Sequence, residues 1–260
     1  MMTRTTDSPS AAVERALGIL EYVAQSSGGL TNSELSRRLD IPKSSASYIL
    51  RTLERRGYLA RDAESGKYRL GLKVLALGRG VHTGMDLRKV ALPYLQQLVD
   101  RTNLTCHLAI LDAGEAVYIE KVEASGFIKM DTWIGRRMYV HSTSVGKSLA
   151  AWLSPPEIES IIREHGLPKR TQKTITSGAR LMKELEKVRA QGYAVDDEEN
   201  SPGARCAGVP VFDAPGHVVA AIGLSGTSGQ VTHDNLPRLA EALKETARKV
   251  SRQLGFVAMR

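Results

Sequence analysis

The first apolar pattern along the chain is helical. Between residues 11 and 24, Val13, Leu17, Leu20 and Val23 with Ala24 recur at three- and four-residue steps, the spacing that lines one face of an α-helix. Gly28 and Gly29 end this unit. Thr31-Asn32-Ser33-Glu34 follows as a capping-box pattern. Thr31 can accept from the backbone N–H three residues on, and Glu34 can reach back. The pattern predicts a short helix to about residue 39, broken by Asp40-Ile41-Pro42. A third helix is predicted over about 43–56, with Ile49, Leu50 and Leu53 as its buried face and Gly57 as its stop. Two alternating runs, 58–61 and 67–70, flank Asp62-Ala63-Glu64-Ser65-Gly66. That turn offers a glycine for a positive φ and predicts a β-hairpin.

Residues 71–84 carry Gly71, Gly78, Gly80 and Gly84 among apolar residues. They predict a short helix and a hinge, with a domain boundary near 80–85, because glycine weakens a helix. Helix resumes at Asp86, where Leu87, Ala91, Leu95 and Leu98 share a face. Further on, strands are predicted over 104–111, 116–122, 127–133, 192–195, 206–212 and 217–225, and helices over 145–153, 156–165, 178–191 and 235–254. Short turns at Asp112-Ala113-Gly114 and Asp213-Ala214-Pro215-Gly216 imply antiparallel pairing and an α+β domain around one sheet. Residues 1–9, polar and ending in Pro9, read as a mobile arm.

Composition narrows the functional classes. A chain of 260 residues suits one large domain or two modest ones. Its net charge is +8, and residues 1–80 hold 13 Lys and Arg against 8 Asp and Glu. The excess is concentrated in the first third, which makes that third the candidate binder of a polyanion. Two cysteines, Cys106 and Cys206, exclude a disulfide scaffold and a four-cysteine zinc site and suit a reducing cytoplasm. No apolar run approaches the ~18 residues of a membrane span, and the N-terminal residues lack a secretory pattern. The six histidines show no metal-ligand spacing, so neither a metal nor a cofactor is expected.

Three helices with a tight turn before the third, then a hairpin, is the order of a winged helix-turn-helix. Such a unit presents short polar and cationic side chains from the third helix to a major groove. Lys43, Ser44, Ser45, Ser47, Tyr48 and Arg51 supply that set. The serines are small enough to let the helix sit deep, Lys43 at the helix start suits phosphate, and Arg51 can bond a guanine edge. Arg61 and Lys67 flank the hairpin turn, and Thr31 opens the second helix. The plainer alternative is a solvated amphipathic helix in a structural bundle.

At this point a resemblance takes shape. VERALGILEYVAQ, LTNSELSRRLDIPKSSASYILRTLERRGYLARDAESGKYRLG and YAVDDEENSPGARCAGVPVFDAPGHVVAAIGLSG together resemble the isocitrate-lyase-regulator (IclR) family of bacterial transcription factors, over about residues 11–257. The resemblance implies a winged helix-turn-helix DNA-binding domain (10–71), a linker helix and hinge (72–85), and a GAF-like α+β effector domain with a mostly antiparallel sheet (86–257). It also implies dimers, often paired into tetramers, on a near-palindromic double-stranded DNA operator, and a small organic acid as effector.

The C-terminal part offers its own candidates. In His141-Ser142-Thr143-Ser144-Val145-Gly146-Lys147-Ser148, the Gly-Lys-Ser tail mimics a phosphate loop, but His141 stands where that loop needs glycine. The segment reads better as a turn into a helix. Asp196, after a strand-like run, is the acid of Asp196-Asp197-Glu198-Glu199 placed to point inward. Cys206 reads either as a buried small hydrophobe or as the nucleophile of an acyl-transfer enzyme with His141 and Asp196. Trp133-Ile134-Gly135-Arg136-Arg137 reads as a cationic wall for a carboxylate, a subunit contact, or an exposed turn with a snorkelling arginine pair. The family resemblance implies that Ser144, Val145, Asp196, Cys206, Gly223 and Ser225 bound the effector, with Phe127, Met130 and Met138 as apolar walls. A nonspecific DNA binder is the remaining alternative; it predicts affinity insensitive to sequence and to ligand.

Overall fold

The computed structural model describes residues 10–78, 82–126 and 129–256. The arm read over 1–9, the hinge glycine Gly80 and the candidate wall residue Phe127 lie outside them. The chain divides into two compact units between His82 and Thr83.

The first unit holds α1 (Ala11–Ala24), α2 (Asn32–Arg38), α3 (Lys43–Arg55), β1 (Leu59–Arg61), β2 (Tyr68–Leu70) and α4 (Leu72–Gly78). The capping box at Thr31 forms as its pattern predicts: the Thr31 hydroxyl accepts from the Glu34 N–H, and the Glu34 carboxylate accepts from the Thr31 N–H at 2.7 Å. Asp40, at φ 51°, makes the tight turn into α3. Ile19, Val23, Leu30, Leu35, Leu50, Leu53, Leu59 and Tyr68 form the core. The buried face of α1 is therefore Ile19 and Val23, while Val13 and Leu17 are 56% and 50% exposed. Apolar residues cover more than one side of this helix, so periodicity does not select the side that meets α3. The hairpin pairs Leu59 with Leu70 and Arg61 with Tyr68. Its turn is closed by Asp62, whose carboxylate accepts from the Ser65 N–H and hydroxyl at 2.8 and 2.6 Å, with Gly66 at φ 66°. Leu30 adds a backbone bridge to Tyr68 that the sequence does not announce.

The second unit is a six-stranded sheet with helices on both faces. Its elements are α5 (His82–Thr102), β3 (Thr105–Asp112), β4 (Glu115–Val122), β5 (Arg137–Tyr139), α6 (Ser144–Ala150), α7 (Pro155–His165), α8 (Gly178–Gln191), β6 (Ala194–Asp197), β7 (Ala204–Phe212), β8 (Val218–Thr227) and α9 (Leu236–Gln253). The order is β5-β4-β3-β8-β7-β6, with every neighbouring pair antiparallel. Alternation along the strands separates two faces. Cys106, Leu108, Ala207, Val209, Ile222 and Leu224 pack against Leu95 and Leu98 of α5 and Leu243 and Val250 of α9. The opposite face meets α6 through Ala109, Ala116, Tyr118, Val145 and Leu149, and α7 and α8 close a further cluster around Ile158, Leu181 and Leu185.

Two elements differ from their sequence patterns. The described part of 127–133 is not a strand; the edge strand is β5, whose Met138 pairs with Ala116. Residues 130–132 are instead held by a side chain, since Lys121 Nζ donates to the carbonyls of Met130 and Thr132 at 2.9 and 2.7 Å. An alternating run without a ladder partner remains a loop. Helix α5 also begins earlier, at His82 rather than Asp86.

Candidate nucleic-acid interface and ligand cavity

Helix α3 is mounted by Ala46, Leu50 and Leu53, all buried. This leaves Lys43, Ser44, Tyr48 and Arg51 exposed, with Ser45 and Ser47 half-buried at their flanks. Tyr48 is 71% exposed. No side chain caps the α3 start, where Pro42 is the N-cap residue, so its first N–H groups have no side-chain acceptor. In the hairpin, Arg61 is exposed and lies 5.9 Å from the Tyr68 ring centroid, while Lys67 is half-buried. Thr31 is half-buried, and its hydroxyl serves the capping box.

The second unit encloses a cavity of about 250 Å³ on the α6 face of the sheet. Of the residues named from sequence, Met130, Met138, Ser144, Val145, Asp196, Cys206 and Ser225 line it. Gly223 does not. A Cβ there would stand 2.6 Å from Val145 Cγ1, and one at Gly208 would stand 2.7 Å from the Ser144 carbonyl. These two glycines let α6 lie against the sheet, so Gly223 shapes the cavity through Val145 rather than by touching its contents.

The arginine pair separates. Arg136 lines the cavity and lies 4.6 Å from the Trp133 ring centroid, while Arg137 turns away to Glu115 at 2.6 Å and Asp112 at 2.8 Å. Tyr118, Thr143 and Asn200 line it too, and the sequence reading missed them. Tyr118 sits in an ordinary strand alternation, so no local signal singles it out. Asn200 could have been suspected from its place just after the acidic run.

Asp196 is buried, and its Oδ1 accepts the N–H groups of Glu199 and Asn200 at 2.8 and 3.2 Å. Loss of water raises its pKa from the usual carboxylate range to about 7, against the lowering effect of those N–H groups and of Lys147. Behind it, Lys147 is fully buried, 2.6 Å from Glu199 and 3.6 Å from Glu184. His107 bonds Thr132 Oγ1 at 2.7 Å and stacks on Tyr118 at 4.5 Å. Burial, then the Lys121 charge, lowers its pKa to about 3, so it stands neutral behind the lining residues Tyr118 and Thr132.

The acyl-transfer alternative finds little support in this geometry. Burial, reinforced by the Asp196 charge, pushes the Cys206 thiol up to about 12, the wrong direction for a thiolate nucleophile. His141 bonds the Pro168 carbonyl at 3.2 Å and does not line the cavity. Among the described residues, no cluster of three His, Cys, Asp or Glu is placed to hold a metal, and no helix is long and apolar enough to cross a membrane.

Comparison with known proteins agrees with both units. Residues 12–63 match the IclR helix-turn-helix domain, and residues 80–252 match the C-terminal domain of bacterial transcriptional regulator IclR. The chain is 38% identical to the HTH-type transcriptional regulator XynR of Escherichia coli (strain K12), covering 95% of this chain and 98% of that protein. It superposes on the crystal structure of Thermotoga maritima IclR with a TM-score of 0.79 at 34% identity, covering 94% of this chain and 98% of that one. It also superposes on an IclR homolog from Microbacterium hydrocarbonoxydans complexed with 4-hydroxybenzoate, with a TM-score of 0.82 at 25% identity, covering 94% and 99%. With a helix-turn-helix unit at one end and an effector-type α+β unit at the other, matched over nearly its whole length, the chain belongs to the IclR family of transcriptional regulators.

Proposed function

We propose that this chain is a ligand-responsive, sequence-specific regulator that binds a near-palindromic operator as a dimer or tetramer and takes a small organic acid into its C-terminal cavity. The observation that carries the DNA half is the exposure of Lys43, Ser44, Tyr48 and Arg51 above the buried Ala46, Leu50 and Leu53 of α3. A helix mounted in this way can enter a major groove. Lys43 and the α3 start meet phosphate, Ser45 and Ser47 allow close approach, and Arg51 reads a base edge. Arg61 and Lys67 take the neighbouring backbone, and Thr31 fixes the start of α2 beside it. Self-association is supported by apolar side chains left exposed on α1 (Val13, Leu17) and α4 (Leu72, Leu75, Leu77), which a second copy would cover.

The ligand half is supported by the lining. Arg136, 3.7 Å from the lining residue Asp131, and Lys129, 3.0 Å from Glu123, bring cations to the wall, Tyr118, Ser144 and Ser225 supply hydroxyls, and Met130 and Met138 supply apolar wall; Phe127 belongs to that wall in this reading. A carboxylate at Arg136 meets less repulsion from Asp196 than from an ordinary aspartate, because burial raises the Asp196 pKa to about 7 and leaves it protonated below neutrality. Binding shifts the spacing of two α3 helices only if one arrangement binds the acid better; a hundredfold preference is worth about 2.7 kcal/mol.

The test starts from an operator selected from random DNA. Arg51→Ala should weaken it by ~1–3 kcal/mol and relax preference at one base pair; an unchanged footprint and affinity would refute the placement of α3. A thermal-shift screen of small carboxylates, followed by gel shifts with the hit, tests the ligand half, and a hit that leaves DNA affinity unaltered counts against it.

A further inference from the structure

A second concavity lies in the C-terminal unit and shares no lining residue with the cavity around Asp196. It is the larger of the two, about 360 Å³, within the ~300–1,000 Å³ typical of small-molecule sites. The chain segment after α6, the end of α8, β7, α9 and the residue that follows its last turn form its walls. Three aromatic rings meet there. Trp152 packs edge-on against Phe212 at 5.5 Å between centroids, and Phe212 stacks on Phe256 at 5.2 Å. Ser251 fixes this floor, its hydroxyl oxygen accepting from the Phe212 N–H at 3.0 Å.

The rim is entirely cationic. Arg189 comes from α8, and Lys244, Arg248 and Arg252 come from α9; no acid lines the groove. The three α9 residues stand four apart, so their Cα atoms rise by about 6 Å per step along one helix side. Most of this charge is uncompensated. Arg189 and Arg252 have no ion-pair partner among the described residues, and Arg248 donates only to the Lys244 carbonyl at 3.2 Å. Lys244 pairs with Glu241 at 3.0 Å, a glutamate whose side chain is 66% exposed, and such a pair is screened by water. Arg189 and Arg252 sit in the last turns of α8 and α9 and complement those helix dipoles; Lys244 and Arg248, earlier in α9, gain nothing of that kind from sharing an apolar floor with them, because like charges repel. A ligand with an apolar planar body and spaced negative groups answers both features: rings stack on the floor and guanidinium groups take anions in their donor fork.

We propose that this groove binds a planar aromatic anion carrying two or more negative charges. Two chemical sources share that description, an aromatic dicarboxylate and a nucleoside phosphate. The site is separate from the effector cavity, and the proposal does not depend on what that cavity takes.

The chain has two tryptophans, so Trp133→Phe leaves Trp152 as the sole reporter in the groove floor. Terephthalate and ADP are titrated in separate arms against the full-length Trp133→Phe protein. The expected result is a saturable change in Trp152 emission with one of them, weakened at least tenfold by Arg248→Gln/Arg252→Gln and unmoved by Arg136→Gln in the other cavity. The tighter arm names the source. Should circular dichroism show the double variant unfolded, Arg189→Gln takes its place with a loss of at least threefold expected. No saturable change in either arm overturns the proposal, as does equal affinity in the charge variants or binding that Arg136→Gln abolishes. Binding seen only after removal of residues 257–260 would give the groove to the chain's own C terminus. Loss of assembly size in the double variant without ligand binding would give it to a second copy. Either result also overturns the proposal.

Discussion

Replacing Asp196 with asparagine removes a charge that its surroundings oppose. The carboxyl is 3% exposed, and burial raises its pKa from 3.8 to about 7. Because the folded value lies above the unfolded one, proton binding favours the folded state. The stabilising contribution is complete below about pH 4 and is lost as pH rises to about 7. A shift of about three units at 1.36 kcal/mol each sets the loss on the order of 4 kcal/mol. The amide side chain of the variant would keep an Oδ1 acceptor for the Glu199 and Asn200 N–H groups while carrying no charge. Urea unfolding of the wild type and Asp196→Asn, followed by circular dichroism at pH 5 and pH 8, reads the effect directly. Only the part of the shift between pH 5 and about 7 is crossed, about two units, so the variant should gain on the wild type between these values by ~2.7 kcal/mol, with the slope m unchanged. Parallel pH profiles for the two proteins would refute the burial argument, because they would mean that Asp196 titrates alike in the folded and unfolded chain.

Other residues make independent predictions. Lys147→Met should destabilise by ~3–5 kcal/mol, because it strands the buried Glu199 carboxylate; Lys147→Met/Glu199→Gln should recover a substantial part of the loss in the same unfolding assay. Gly208→Ala should cost ~1–3 kcal/mol, since the added methyl meets the Ser144 backbone at 2.7 Å, and should weaken binding of any carboxylate found by thermal shift. Lys67→Ala should reduce affinity for all DNA sequences alike and lower the salt slope of binding by about one, as read by gel shifts across a salt series; an unchanged slope removes the hairpin–phosphate contact.

Much of the architecture was legible in the chain itself because it rests on local chemistry. The capping box at Thr31 and the turn closed by Asp62 and Gly66 each depend on residues within a few positions of one another. The face of α5 follows from periodicity alone, whereas β3, β7 and β8 are buried on both sides, so the direction of Cys206 and Ser225 was implied only by the family resemblance. Tertiary structure decided what local pattern leaves open. It chose Ile19 over Val13 and Leu17 as the buried side of α1, because the side that meets α3 is not written in α1. It placed Arg136 in the cavity and sent Arg137 to Glu115, since adjacent residues of a strand edge point apart and only their neighbours tell which side is the ligand side. It also brought Lys147 to Glu199, 52 positions away, behind Asp196. Periodicity fixes the direction in which a side chain leaves the backbone, whereas the partner it meets depends on chain segments distant in sequence.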